Sequence, residues 1–163
     1  MTAEATPGRT LGPALAAVLG RELERFQREI AAYPDERDLW RVEGTARNSP
    51  GTLALHAAGN LEAYVGAVLG DTGYVRDREA EFGDRDVPRA ELIRRLEHAR
   101  AVVVDTLQGV DDATLLAPYP GPLPPHLGQV SAVGFLVHLT WHLGWHEGQV
   151  DYHRRILVGG EPV

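Results

Sequence analysis

Five of the chain's eleven prolines fall within LAPYPGPLPPHLGQ, residues 116–129. Proline lacks the amide proton that a helix interior needs, and its ring clashes with the preceding turn, so no helix passes through this stretch. It reads as an extended crossover between two helical bodies. Single prolines punctuate the rest of the chain. Pro34 closes a first helix over about residues 10–33, in which Leu15, Leu19, Leu23, Phe26 and Ile30 recur every three or four positions among charged neighbours. Ser49 and Pro50 supply an N-cap and a first helical residue for a second helix over about 50–70. Pro88 opens a third over about 88–108, with Leu92, Leu96, Ala99, Val103 and Leu107 on one stripe. The fourth runs over about 130–157 and is closed by Gly159, Gly160 and Pro162. DTGYVRDREAEFGDRD, between the second and third, is charged, lacks a long apolar period and reads as a connection.

Four helices with long connections predict an all-α four-helix bundle, in an order that need not be simply up and down. The 163 residues fit a single domain spanning 1–163. A net charge of −7, from 23 acidic and 16 basic residues, argues against nucleic acid as a partner. No window is long and apolar enough for a membrane span, so the expected setting is the cytoplasm with no membrane partner. With no Cys in the chain, any thiol chemistry has to use a thiol from solution.

HLTWHLGWHEGQVDYH, residues 138–153, carries four of the seven histidines. At about 100° per residue, His142, His146, Gln149 and His153 fall within about 80° of His138. Phe135, Leu139 and Val150 flank this sector, whereas Glu147 and Arg154 lie about 160–180° from His138. The imidazoles are thus expected on the face that enters the core. Buried imidazoles need hydrogen-bond partners or a metal, and a pair spaced i, i+4 on a helix can reach one divalent ion. Two such pairs are present, His138 with His142 and His142 with His146, and spacing does not choose between them. His56, which shares a helix face with Asn60 and Tyr64, is the best candidate for a third ligand. A zinc-protease HExxH is absent, because Leu143, Gly144 and Trp145 separate His142 from His146. Trp141, Trp145 and Tyr64 are expected to pack, His98 to be structural, and His126 to be a loop residue of the crossover.

HLTWHLGWHEGQV resembles the last helix of the DinB/YfiT-like superfamily, and NSPGTLALHAAGNLEAYVG resembles its second. GYVRDREAEF is similar to one branch of that superfamily, and the likeness runs from about residue 40 to 157. The resemblance implies a four-helix bundle of unusual connectivity. It also implies a divalent metal held by one histidine of the second helix and an H-x3-H pair ending just before x-G-Q. Carried onto this chain, it selects His56, His142 and His146 as ligands. His138 and His153 become supporting residues. Asn60, Tyr64, Trp145 and Gln149 join them as pocket candidates, with Gln149 suited to fixing a ligand imidazole. Arg76, Arg78 and Glu81 either anchor their loop by ion pairs or line the mouth of the site and receive a substrate carboxylate.

Superfamily members include transferases that use a low-molecular-weight thiol such as bacillithiol or mycothiol, along with thiol-dependent isomerases and hydrolase-like enzymes. The resemblance therefore implies a metal-dependent enzyme acting on a small molecule, with a thiol as cosubstrate or water in its place. Zn²⁺ and Ni²⁺ are the expected ions, with Fe²⁺ a third, since imidazole discriminates poorly among them. The alternative is a non-catalytic metal-binding bundle that forms a homodimer.

Overall fold

The computed structural model describes residues 8–161 and Val163. Pro162, expected to help end the last helix, lies outside the described residues. Helix α1 (Leu11–Ala31) buries Leu19, Leu23, Phe26 and Ile30 completely, the stripe its periodicity predicts. Its first amides are satisfied from across the chain, where Asp112 Oδ1 accepts from the Thr10 and Leu11 amides, each at 2.9 Å. A 3-10 turn, Glu36–Trp40, follows and buries Leu39.

Helix α2 occupies residues 50–70 as one rod: an α-helical Pro50–Leu61, a π-helical stretch Glu62–Ala67 and a final turn Val68–Gly70. Ser49 Oγ accepts from the Thr52 amide at 3.3 Å, and Pro50 stands at the first turn, as its sequence predicts. Every residue of Pro50–Leu61 is buried, so α2 is the most enclosed helix of the bundle.

The connection after α2 is not without structure. It contains a short helix α3 (Arg78–Gly83), with Asp77 Oδ1 capping the Ala80 amide at 2.9 Å. Its period escapes hydropathy because the side chain it buries is a carboxylate, Glu81. Helix α4 (Arg89–Gly109) buries its anticipated stripe of Leu92, Leu96, Ala99, Val103 and Leu107. Helix α5 (Asp112–Leu116) is brief and inserts Leu115 into the core. The proline-rich crossover is pinned at both ends, by the Tyr119 amide on Val130 O at 3.0 Å and the Ala132 amide on Ala117 O at 2.9 Å. Tyr119 is buried, and its hydroxyl donates to the Tyr64 carbonyl at 2.8 Å.

Helix α6 (Ala132–Val158) starts at Ser131, whose Oγ caps the Gly134 amide at 3.2 Å, and ends at Gly159 in the left-handed region with φ 71°. Helix α1 packs against α4 and α6, and α2 packs against the same two helices. Helices α1 and α2 are therefore diagonal partners, which accounts for the long connection between them. No helix among the described residues is long and apolar enough to cross a membrane.

The structure corrects the expected orientation of α6. Its deepest face carries Leu136, Leu139, Leu143, Glu147, Val150 and Arg154, while the histidine sector sits half-buried at the edge. Glu147 and Arg154 do point away from the histidines, but into the α1 interface rather than into solvent. Arg154 Nε pairs with the fully buried Glu29 at 2.8 Å, and Arg25 Nε approaches Glu147 at 3.0 Å. Hydropathy cannot distinguish a charge headed for solvent from one headed for a buried partner, so the apolar period alone points to a face rotated from the buried one.

Candidate metal centre

Because α2 and α6 are neighbours, His56 from the first faces His142 and His146 from the second. The rings form a compact triangle, with centroids 5.2 Å apart for His56–His142, 5.2 Å for His56–His146 and 4.4 Å for His142–His146. One nitrogen from each ring can be chosen such that all three lie within 4.8 Å of one another. His56 is buried, and the two α6 histidines are half-buried. His142 Nε2 and His146 Nε2 stand 3.1 Å apart. That spacing is close to the edge of a tetrahedron with metal–nitrogen bonds of about 2.0–2.1 Å.

The outer nitrogens establish which lone pairs face inward. His146 Nδ1 lies 2.9 Å from Gln149 Oε1, which can only accept, so Nδ1 carries the proton and Nε2 is free. His56 Nδ1 donates to Glu81 Oε2 at 3.0 Å, which leaves its Nε2 free as well. Glu81 is itself held by Arg76 through two bonds, Nε to Oε1 at 2.7 Å and Nη2 to Oε2 at 2.8 Å. The result is a carboxylate–histidine pair backed by a guanidinium, the arrangement that orients metal-binding imidazoles. Arg76 also stacks over Tyr64, its guanidinium carbon 5.4 Å from the ring centre.

Charge favours the same protonation states. Burial pushes the His142 imidazole down to about 3, and the neighbouring His146 and His56 act in the same direction. Burial also lowers His146, partly opposed by its bond to Gln149. For Glu81, burial works against ionisation, but the bonds from Arg76 and His56 outweigh it and hold the carboxyl below its usual range. His142 and His146 are thus neutral, an ionised carboxylate stands behind His56, and these residues fit a divalent cation.

The other sequence candidates divide between two cavities and the exterior. Asn60 is buried beside His56, and Asn60, Tyr64, Arg76, Arg78 and His138 all line a cavity of about 610 Å³ that also reaches His56 and His142. His138 stacks on Phe135 and His142, with centroids 6.1 and 6.2 Å away, and stands outside the three-nitrogen group. His126, expected as a loop residue, sits instead in a single 3-10 turn of the crossover, Pro125–Leu127, and lines the same cavity, 6.0 Å from the His138 ring. Gln149 and His153 line a second cavity of about 500 Å³ on the His146 side.

Two expectations need correction. His153 does not support the three-histidine group, because its Nδ1 meets the Tyr33 hydroxyl at 2.9 Å and its Nε2 meets the Arg41 carbonyl at 3.1 Å, fastening the loop after α1. Trp145 is 57% exposed and lies against the 58% exposed Trp141, the rings tilted by 37° with centroids 5.8 Å apart, rather than packing inside. The helix period placed both tryptophans on the outer side of α6, and only the misjudged core face made them look internal. His98 is structural, 3.2 Å from Glu62.

Sequence reasoning missed Phe82 and Gly59. The Phe82 ring lies 4.8 Å from His56, and it would have been found had α3 been recognised as a helix. Gly59 lets Glu81 reach α2, since a Cβ there would collide with the Glu81 carboxylate.

An all-helical bundle that gathers one histidine from its second long helix and an H-x3-H pair from its last defines a candidate metalloprotein of the four-helix class. The model of the DinB superfamily matches residues 19–150, and the chain belongs to that family. No curated protein sequence matches it.

Proposed function

We propose that the chain is a divalent-metal-dependent enzyme that joins a low-molecular-weight thiol, or water, to a small electrophile, with thiol S-transfer the preferred reaction. The observation that carries this reading is the composition of the centre. Imidazole ligands add no negative charge to a bound ion, and a three-ligand set leaves a coordination position for a substrate. A divalent ion held there would supply Lewis acidity, lowering the pKa of a thiol or water that reaches it. His56, His142 and His146 would hold the ion, Zn²⁺ and Ni²⁺ being favoured and Fe²⁺ the third choice. Glu81 and Gln149 keep the Nδ1 protons outward, so that Nε2 of His56 and His146 presents a lone pair without rearrangement. Arg76 keeps Glu81 ionised.

A second reading has its own support. Val137, Trp141, Trp145, Tyr152 and Ile156 form an exposed apolar stripe along α6, each more than half exposed. A stripe of this kind favours a homodimer, in which the histidines would serve only to tie α2 to α6.

Thiol consumption separates the two. Purified protein loaded with Zn²⁺ or Ni²⁺ is incubated with glutathione, cysteine, coenzyme A, bacillithiol or mycothiol and the generic electrophile monobromobimane. The enzyme reading expects turnover above the uncatalysed background with at least one thiol, lost in His142→Ala. Metal-dependent stability without turnover across the panel, in a protein that sediments as a dimer, would support the structural reading instead.

A further inference from the structure

The chain is acidic overall, yet among the described residues the cavity of about 610 Å³ beside His56 and His142 has two arginines in its lining and no aspartate or glutamate. Other cavities are mixed: the one between α2, α3 and α4 includes Glu62, Asp77 and Glu91 beside Arg94 and Arg95, and the one near His146 has both Glu43 and Arg47 in its lining. The two arginines are not equivalent. Arg76 is engaged by its two hydrogen bonds to Glu81. Arg78 is exposed, with its guanidinium carbon over the Phe82 ring, 4.8 Å from the ring centre, a cation–π contact that leaves its N–H groups available for hydrogen bonds. Phe82 in turn stands 4.8 Å from the His56 ring, so Arg78 is one aromatic ring removed from a candidate metal ligand. The cavity lining also includes the apolar side chains of Phe135, Leu139, Leu123 and Trp141.

We propose that this cavity binds the carboxylate of a small amphipathic acid, with Arg78 as the anchor and the Phe135–Leu139–Trp141 wall holding the apolar body. A guanidinium with a free edge recognises carboxylate through two parallel hydrogen bonds, and the apolar wall favours an aryl or branched aliphatic acid over a short polar one. The proposal names the substrate class of the centre described above and rests on that reading. His126 and His138, their rings 6.0 Å apart, also line the cavity and can donate hydrogen bonds to a bound acid.

The test uses 3-phenylpropionate and its uncharged analogue 3-phenylpropionamide as probes. Both are titrated by ligand-observed NMR into Zn²⁺-treated wild-type protein, Arg78→Ala and Arg78→Lys, with the metal content of each sample measured in parallel. The acid should bind wild type at least about tenfold more tightly than the amide does, and Arg78→Ala should remove that preference. Arg78→Lys, which keeps the charge but loses the fork, should fall between the two. Equal binding of acid and amide to metal-loaded wild type, or an undiminished acid preference in Arg78→Ala, overturns the proposal while leaving the centre intact. A sample that holds no metal refutes the centre instead.

Discussion

Replacing Glu81 with Gln removes one negative charge from the middle of the His56–Glu81–Arg76 chain and changes the side-chain shape very little. In the native arrangement Glu81 Oε2 is 3.0 Å from His56 Nδ1, and both carboxylate oxygens are occupied by Arg76. The amide keeps one acceptor, so it can serve His56 or Arg76 but not both with full strength. Loss of such an outer partner weakens metal binding about 10- to 100-fold, equivalent to about 1.4–2.7 kcal/mol. The fold should lose a further ~1–3 kcal/mol, because Arg76, half-buried against Tyr64, then has a neutral partner. Competition against a zinc-binding dye gives the first quantity, and urea denaturation of metal-free protein gives the second. Glu91→Gln, which disturbs only exposed pairs with Arg94 and Arg95, provides the comparison and should leave metal affinity unchanged. A zinc affinity for Glu81→Gln within twofold of wild type would refute the role assigned to the carboxylate.

Gly59→Ala should reproduce the metal-affinity loss of Glu81→Gln although it alters no polar group, since its Cβ occupies the space of the Glu81 carboxylate; unchanged affinity in the same dye assay would contradict that contact. Glu29→Gln takes from Arg154 its closest carboxylate in the α1–α6 interface, leaving Asp151 at 3.6 Å, and should cost about 1–3 kcal/mol in denaturant melts without altering metal binding. The metal-free fold should weaken as pH falls below the ordinary histidine value of about 6.5. Burial lowers His142 to about 3 and depresses His146, His138 and His153 as well, so the unfolded chain takes up more protons between the folded and unfolded values. His142→Ala should flatten the stability slope between pH 7 and 5, and an unchanged slope in urea melts would argue against the depressed value.

Backbone punctuation and apolar period were legible in the sequence. Ser49–Pro50 and Pro88 mark the starts of α2 and α4, and the α4 stripe is buried residue for residue. The H-x3-H spacing showed two equivalent pairs, and the family resemblance chose between them; the structure brings His142 and His146, rather than His138, to His56. What escaped were structures stabilised by charge. Helix α3 is too short for an apolar period, and its value lies in delivering Glu81. The inner face of α6 was misjudged because Glu147 and Arg154 are buried by partners on α1, residues more than a hundred positions away in the chain. His153 shared the histidine sector but is claimed by Tyr33, a contact that depends on how α1 packs.

Metal analysis of untagged protein, purified without chelator, tests the central claim most directly. Wild type should carry about one divalent ion per chain, as the single three-histidine group among the described residues requires, and His56→Ala, His142→Ala and His146→Ala should each lose it while remaining helical. One equivalent retained through all three substitutions would contradict the centre.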